Sequence, residues 1–384
     1  MSDSEKQERK NKMFMRVLIL FLSALLFCGC CANRNYNVVL LGDIHYDAPK
    51  YHDKNYPAFK PKVPYGVGTK NKDGIFSWRN HSLWVTESCA NTNHNIPLNA
   101  KMWEKYLPQL LDNAAECARN NKAEYAFQLG DMIHGDCGTV KLHQANLRDA
   151  LNEMDKRFDC PVLTVVGNHD PRGVAGMEAW NGVMPTYLKN IVKDYSGKTG
   201  NYYLCIGKDL FYFHDVMNPD LDYMEKVFKA NPDSRYTFFV SHVPLIPTDK
   251  NSLFEILTDD FDRLFTLLES RNAIVLSGHT HYISCTEYKN SKTGHRINQF
   301  ILNSTVRRPQ KQLAFKPGTD LLKNQFKKGY LKHRKLWEKY FNGNIRTPLF
   351  TNGSGYALLR VSDKGVFLDY RNLTQKEYHT YQLR

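Results

Sequence analysis

A chain of 384 residues with 42% hydrophobic and 12% aromatic side chains has enough apolar surface for a sizeable core, which excludes a disordered or fibrous protein. Its formal net charge of +13 predicts attraction to anions, whether phosphate-bearing substrates, anionic lipid surfaces or nucleic acid. The length exceeds that of a typical domain, but α/β cores with insertions reach it, so one large domain with elaborations is expected.

The N-terminus reads differently from the rest. Lys10, Lys12 and Arg16 precede an apolar run from Val17 to Phe27 that ends at Gly29-Cys30. A basic start, a short apolar stretch and a small terminal residue are the plan of a secretory signal, and the run falls short of the ~20 residues a membrane span needs. A small residue before a cysteine resembles the bacterial lipobox. That resemblance implies a signal peptide over 1–29, lipidation of Cys30, and an extracytoplasmic body tethered to a membrane, in the periplasm or at the cell surface. Cys28 and Cys31 are alternative lipidation positions, and a short uncleaved anchor is the other reading of the segment. Removing 1–29 takes away five basic and three acidic residues and leaves +11. Cys89, Cys117, Cys137, Cys160, Cys205 and Cys285 lie beyond this cluster. An even number permits disulfides in an oxidising compartment, but their spacing sets no pairing and forms no CxxC metal ladder.

Asn37 to Leu41 reads as a strand buried on both faces, ending in Gly42-Asp43. Residues 48–99 are polar and broken by Pro49, Pro57, Pro61, Pro64, Gly66, Gly68 and Gly74. So long a loop in a compact domain usually serves function. Met102, Tyr106, Leu107, Leu110, Leu111, Ala114 and Ala118 then fall at helical spacing. The pattern repeats with a strand from Tyr125 to Leu129 into Gly130-Asp131, a helix using Leu147, Leu151, Met154 and Phe158, and a strand from Val162 to Val166 into Gly167-Asn168-His169-Asp170. Further strands are expected at Leu210–His214, at Thr237–Val240 into Ser241-His242, and at Ile274–Leu276 into Gly278-His279, with a helix over about 254–270. Strands alternating with helices predict an α/β architecture. Segment 306–350 is strongly basic, and its apolar residues suggest one or two amphipathic helices. A hairpin of Tyr356–Val361 and Val366–Tyr370 closes the chain.

The chemistry-bearing residues sit at the carboxyl ends of these strands, where open α/β sheets place their ligands. Each cluster alone has an ordinary explanation. Asp43 and His45 fit a loop, Asp131 a turn, Asn168 an Asx turn, and His242, His279 and His281 satisfied buried or strand-end histidines. Together, Asp-x-His, Gly-Asp, Gly-Asn-His-Asp, Ser-His and Gly-His-Thr-His at five strand ends, in that order, resemble the calcineurin-like metallophosphoesterase family across about 37–305. Imidazole and oxygen donors without thiolates suit borderline divalent ions such as Mn²⁺, Fe²⁺ or Zn²⁺. Residues two apart on a strand point the same way, which would bring Asp43 together with His45 and His279 with His281.

The resemblance implies a four-layer α/β/β/α sandwich of two mixed sheets flanked by helices. The core would span 30–305 with the insertion 48–99, followed by a basic helical insertion at 306–350 and closing strands at 351–384. It further implies two divalent metal ions, of Mn, Fe or Zn. Asp43, His45 and His281 would hold one ion, Asn168, His242 and His279 the other, and Asp131 would bridge them. A hydroxide shared by two such ions attacks a phosphate ester without a covalent enzyme intermediate. His169 resembles the family histidine that stabilises or protonates the leaving oxygen. Protein-phosphatase members place an aspartate three residues past the bridging one and purple acid phosphatases a tyrosine, whereas this chain has His134. With His45 present the purple type is rejected, and Asp136 and Asp170 are the candidates to orient His169.

His134, Trp78 and Arg79 are candidate substrate contacts, with His81, Trp84 and Tyr51 nearby in sequence. A loop packing on its own aromatics is the alternative. The basic segment offers either a solvated helix face or a second membrane contact beside the lipid. A phosphomonoesterase or broad phosphohydrolase is favoured over a phosphodiesterase acting on nucleotides or phospholipid headgroups. Nucleic acid is expected only as substrate. The rival class, a non-catalytic envelope or nucleic-acid binding protein on this fold, would be expected to have lost ligands, and all seven are present.

Overall fold

Alternation along the central strands decides the architecture. In β1 (Tyr36–Leu41) Val38 and Leu40 face one core while Val39 and Leu41 face another, so the continuous apolar run is buried on both sides as its sequence requires. The computed structural model describes residues 33–52, 69–70, 76–77, 96–172, 176–193, 195–196, 200–247, 260–305, 316–317, 335–351, 353–374 and 378–384. The signal segment with Cys30, the candidate contacts Trp78 and Arg79, and His81, Trp84 and Cys89 lie outside them.

After β1 the described elements are a small hairpin of β2 (Thr69–Lys70) and β3 (Phe76–Ser77), helix α1 (Ile96–Asn120), β4 (Tyr125–Gln128), α2 (Val140–Asp155), β5 (Val162–Thr164), and the short helices α3 (Gly176–Asn181) and α4 (Met184–Lys189). The second half runs β6 (Tyr202–Ile206), β7 (Asp209–His214), α5 (Leu221–Ala230), β8 (Thr237–Ser241), α6 (Phe261–Ser270), β9 (Ile274–Ser277), β10 (Ile283–Lys289) and β11 (Arg296–Ile301). The last strands are β12 (Lys316–Pro317), β13 (Ile345–Thr351), β14 (Gly355–Ser362), β15 (Gly365–Asn372) and β16 (Tyr378–Gln382).

A six-stranded sheet is ordered β16-β15-β14-β1-β4-β5, and an eight-stranded one β12-β13-β10-β11-β9-β8-β7-β6. Both are mixed: β1, β4 and β5 run parallel, as do β7, β8, β9 and β11, while the outer strands pair antiparallel. Val38, Leu40, Phe127 and Leu163 of the first sheet meet Phe211, Phe213, Phe238 and Ile274 of the second in the inner core. The outer face of the first sheet packs on α1 and α2 through Leu107, Leu111, Leu147 and Met154. That of the second packs on α5 and α6 through Met224, Phe228, Leu264 and Phe265. The result is the expected α/β/β/α sandwich. Each large side chain so buried contributes roughly 1.5–3 kcal/mol, and a one-residue slip would turn every one of them to the wrong face.

Residues 306–315 and 318–334 of the basic segment lie outside the described ones, and the rest is only partly helical. Among the described residues it has one short helical turn, Trp337–Phe341, followed by strand β13. β13 pairs antiparallel with β10 and with β12, so 345–351 belongs to the eight-stranded sheet rather than to a helical insertion. Phe341 is buried and Tyr340 packs on Phe261 and Phe265 of α6, which explains the apolar residues in this basic stretch. Tyr51 is also reassigned: it is 1% exposed and its hydroxyl donates to Asp149 (2.5 Å), so it serves the core rather than a substrate. The five described cysteines, Cys117, Cys137, Cys160, Cys205 and Cys285, are all thiols.

His214, at the end of β7, is 2% exposed, lies against Tyr212 and Phe239, and has no hydrogen-bond partner for Nδ1. Burial drops its pKa from 6.5 to about 3. The unfolded chain therefore takes up a proton at a pH where the folded one does not, so this group's contribution is complete above pH 6.5 and drains away as pH falls toward 3. His214→Phe should flatten the loss of thermal stability between pH 6.5 and 4, measured as Tm against pH beside the parent. An unchanged slope would remove His214 from the acid response.

Candidate metal centre

The parallel strands β1, β4 and β5 of one sheet and β8 and β9 of the other deliver their carboxyl ends to the same place. Backbone bonds knit the loops that follow: Leu129 N–H donates to Leu41 O (2.8 Å), His45 N–H to Asp131 O (3.0 Å), and Gly278 N–H to His242 O (3.0 Å). Gln128 braces two of them, its amide donating to Gly42 O (3.1 Å) and Gly130 O (2.6 Å). Thr305 braces the first of these again through its hydroxyl to Asp43 O (2.7 Å). Neither residue was picked out in the sequence, although Gln128, the one polar residue in the run from Ala126 to Leu129, was a visible signal.

The convergence has a different cause from strand alternation. β1 ends at Leu41 and β9 at Ser277, so Asp43, His45, His279 and His281 all lie in loops. His45 (φ +46°), Asp131 (φ +52°), His279 (φ +74°) and His281 (φ +54°) adopt left-handed backbone. That conformation costs of order 1 kcal/mol or more per non-glycine residue and clusters at functional sites. Close approach imposes glycine beside them. A Cβ on Gly167 would lie 2.2 Å from Asp131 Oδ1, and one on Gly278 2.3 Å from Asp43 Oδ1.

All seven predicted side chains meet, in two groups that share Asp131. Asp43, His45, Asp131 and His281 have donor atoms within 4.8 Å of one another, as do Asp131, His242 and His279. In the first group His45 Nε2 is 3.0 Å from His281 Nε2, His281 Nε2 is 3.1 Å from Asp43 Oδ2, and His45 Nε2 is 3.8 Å from Asp131 Oδ2. In the second, His242 Nε2 lies 3.0 Å from His279 Nδ1, 3.1 Å from Asn168 Oδ1 and 3.3 Å from Asp131 Oδ2. Asp43, Asp131 and His242 are at most 1% exposed.

This donor set fits a pair of cations. Nitrogen and oxygen donors face each other at a separation that suits a shared ion better than it suits one another. His242 donates from Nδ1 to Leu129 O (2.8 Å), which turns Nε2 toward the cluster in the manner of a metal-bound imidazole. The charge balance agrees. Burial alone would lower the His242 pKa, but Asp131 and Asp43 outweigh it and raise it to about 10. The carboxylates thus demand a positive charge at that place, which a metal ion supplies in the proton's stead. Asp43 feels burial first, yet His281 and His242 hold it below the usual carboxylate range.

His169 sits beside the first group, its ring 4.6 Å from that of His45 and 4.9 Å from that of His134. Nδ1 donates to the His134 carbonyl (2.8 Å), which leaves Nε2 as the acceptor nitrogen. Burial, then the charge of Arg172, hold its pKa well below the ordinary value. Of the two candidates to orient it, Asp170 does something else: it accepts from the backbone N–H groups of Gly167 (2.7 Å), Asp131 (3.0 Å) and Ile133 (3.1 Å). Burial, with Asp131 next to it, pushes Asp170 up to about 7. Asp136 instead grips Arg172, whose Nη1 lies against the His169 ring. His134 is 7% exposed, with Nε2 3.8 Å from Asp136 Oδ2.

A search of curated proteins found no match. Among solved structures, a dimetal phosphatase from Danio rerio is similar with a TM-score of 0.52 and 12% identity, covering 91% of this chain and 99% of its own. GAP50, titled the anchor in the inner membrane complex of Plasmodium, aligns with a TM-score of 0.46 and 11% identity over 91% of this chain and 89% of its own. A family model described as calcineurin-like phosphoesterase matches residues 36–282, a span that starts at β1 and closes one residue past His281. The chain belongs to the calcineurin-like phosphoesterase family and is a metallophosphoesterase.

Proposed function

We propose that this protein hydrolyses a phosphate ester, a monoester in preference to a diester, at two divalent metal ions. Asp43, His45 and His281 would hold one ion, Asn168, His242 and His279 the other, and Asp131 both. The observation that carries the reading is the meeting of these seven side chains around one buried carboxylate, with donors 3.0–3.8 Å apart. Two such ions supply a low-pKa bound water and a clamp on the attacking and leaving oxygens.

The protein's own groups do the rest. Asp131, fixed by the His169 backbone N–H on Oδ1 (2.7 Å), keeps its other oxygen, Oδ2, toward both halves of the cluster. His242, tied at Nδ1, presents Nε2 without rotating. His169 holds a proton on Nδ1 against the His134 carbonyl, so its Nε2 takes up a proton from solvent and passes it to the leaving oxygen. The net charge of +11 that remains without residues 1–29 favours the doubly charged monoester over the singly charged diester.

We further propose that the body works outside the cytoplasm, tethered by a lipid on Cys30. The motif Gly29-Cys30 after a short apolar run supports this. Acyl label on the product, with processing blocked by globomycin, is expected. A mature protein retaining 1–29 would contradict it.

Chelation should abolish hydrolysis of p-nitrophenyl phosphate, and Mn²⁺, Fe²⁺ or Zn²⁺ should restore it. The same protein should turn over bis-p-nitrophenyl phosphate more slowly; the reverse order moves the assignment to a diesterase. Activity that survives both chelation and Asp131→Asn would refute the dimetal reading. His169→Ala should keep its metal and lose about 10² to 10⁴-fold in kcat. Gly167→Ala, which touches no substrate, should displace Asp131 and lower the metal content measured by elemental analysis. Full metal occupancy in that variant would show that Asp131 does not set the site.

A further inference from the structure

We propose that Arg172 is the positioning residue of His169, fixing the orientation of its ring through a clamped guanidinium. The inference rests on the reading of His169 as the group that moves a proton to the leaving oxygen.

Arg172 is 7% exposed, and its charge is spoken for on one side only. Nε donates to Asp136 Oδ1 (3.0 Å) and Nη2 lies 2.6 Å from Asp136 Oδ2, a two-point fork that fixes the guanidinium plane. The remaining nitrogen, Nη1, is 3.2 Å from His169 Nδ1 and 3.1 Å from Nε2. An atom that near to both ring nitrogens cannot lie in the ring plane, where it would overlap the carbon between them. It lies over the ring face. The imidazole is therefore held on two sides, at its Nδ1 edge by the His134 carbonyl and at its face by Arg172.

The clamp is itself built in. Asp136 N–H donates to Arg172 O (2.6 Å) and Arg172 N–H to His169 O (3.0 Å), which binds the 135–136 loop to the 169–172 turn. His52 Nδ1 donates to Asp136 O (3.1 Å). The same corner suggests one rival. Donor nitrogens of His45, His134 and His169 lie within 4.8 Å of one another and could hold a third cation. Arg172 opposes it, because a fixed positive charge already stands over one of the three rings.

The test compares the metal-loaded wild type, His169→Ala, Arg172→Met and Asp136→Asn on p-nitrophenyl phosphate and on glycerol phosphate, whose poor leaving group needs the proton. Arg172→Met should lose at least about tenfold more kcat on glycerol phosphate than on p-nitrophenyl phosphate, with KM within about twofold and two metal equivalents retained. Adding it to His169→Ala should cost nothing further. Asp136→Asn, which loosens the fork while keeping its shape, should show the same pattern and covers the case in which Arg172→Met does not fold. An equal loss on both esters with a raised KM would overturn the proposal by making Arg172 a substrate contact, and a third bound metal in wild type would overturn it as well. If His169→Ala itself shows no dependence on the leaving group, the role of His169 fails. If His169→Ala shows it and both Arg172→Met and Asp136→Asn do not, only the role of Arg172 fails.

Discussion

The site depends on a buried negative charge that the fold cannot neutralise by itself. Asp131 is 1% exposed, and Asp43 and Asp170, both fully buried, lie in the same cluster of loops. Taking one carboxylate out of water costs several kcal/mol, and gathering three compounds it. The structure answers each differently. Asp170 is surrounded by three backbone N–H groups and still has its pKa pushed up to about 7, so it sits at the edge of ionisation. Asp43 takes two bonds from the His279 N–H and leans on His281 and His242. Asp131 receives one backbone N–H and is otherwise faced by imidazoles. A pair of divalent ions would complete this arrangement, and metal binding and the order of these five loops would then belong to one equilibrium.

The strained backbone follows from the same demand. Residues in left-handed conformation persist only where the surroundings over-determine them. Here the surroundings are two sheets whose inner faces are closed by large aromatic pairs, such as Phe211 stacked on Phe238 (4.2 Å) and Tyr202 on Phe213 (4.4 Å). A core that stiff can hold His45, Asp131, His279 and His281 in positions they would not choose, and the donors are preorganised before any ion arrives.

The fold was largely legible because its central strands are apolar on both faces and each ends in a glycine or serine beside a polar side chain. That pattern located β1, β4, β5, β8 and β9 and the seven side chains that meet, and the apolar run alone located β7. The strands β10, β11 and β13 were not read. Ile283–Lys289 alternates Cys285, Glu287 and Lys289 with apolar and hydroxyl residues in a way that a loop also shows, and β13 lies in a basic stretch whose charges mask its pairing with β10. The reason given for the meeting of Asp43 with His45 was wrong although the meeting was right. Strand parity says nothing about loops, and a positive φ on a histidine leaves no mark in a single sequence. Arg172 escaped because it reaches His169 over one turn of loop, where sequence spacing carries no direction.

Charges of alternating sign continue from the site into the start of the long insertion. Asp47 accepts from His52 Nε2 (2.7 Å), and His52 donates from Nδ1 to the Asp136 carbonyl (3.1 Å). Two acceptors on one ring require both nitrogens to be protonated, and the His52 pKa is raised accordingly, burial opposing and Asp47 prevailing. Beyond it the Asp136 carboxylate holds the Arg172 guanidinium, which ends over His169. Each buried charge in this series is compensated by the next, so none is stable alone: removing one partner of a buried pair commonly costs about 3–5 kcal/mol, because the other is left without water or counter-charge. A series of that kind behaves as a unit. Residues 47–52, at the start of the long insertion, are thereby joined to His169 by bonds and ion pairs rather than by loose packing, and whatever orders them also orders the His169 ring.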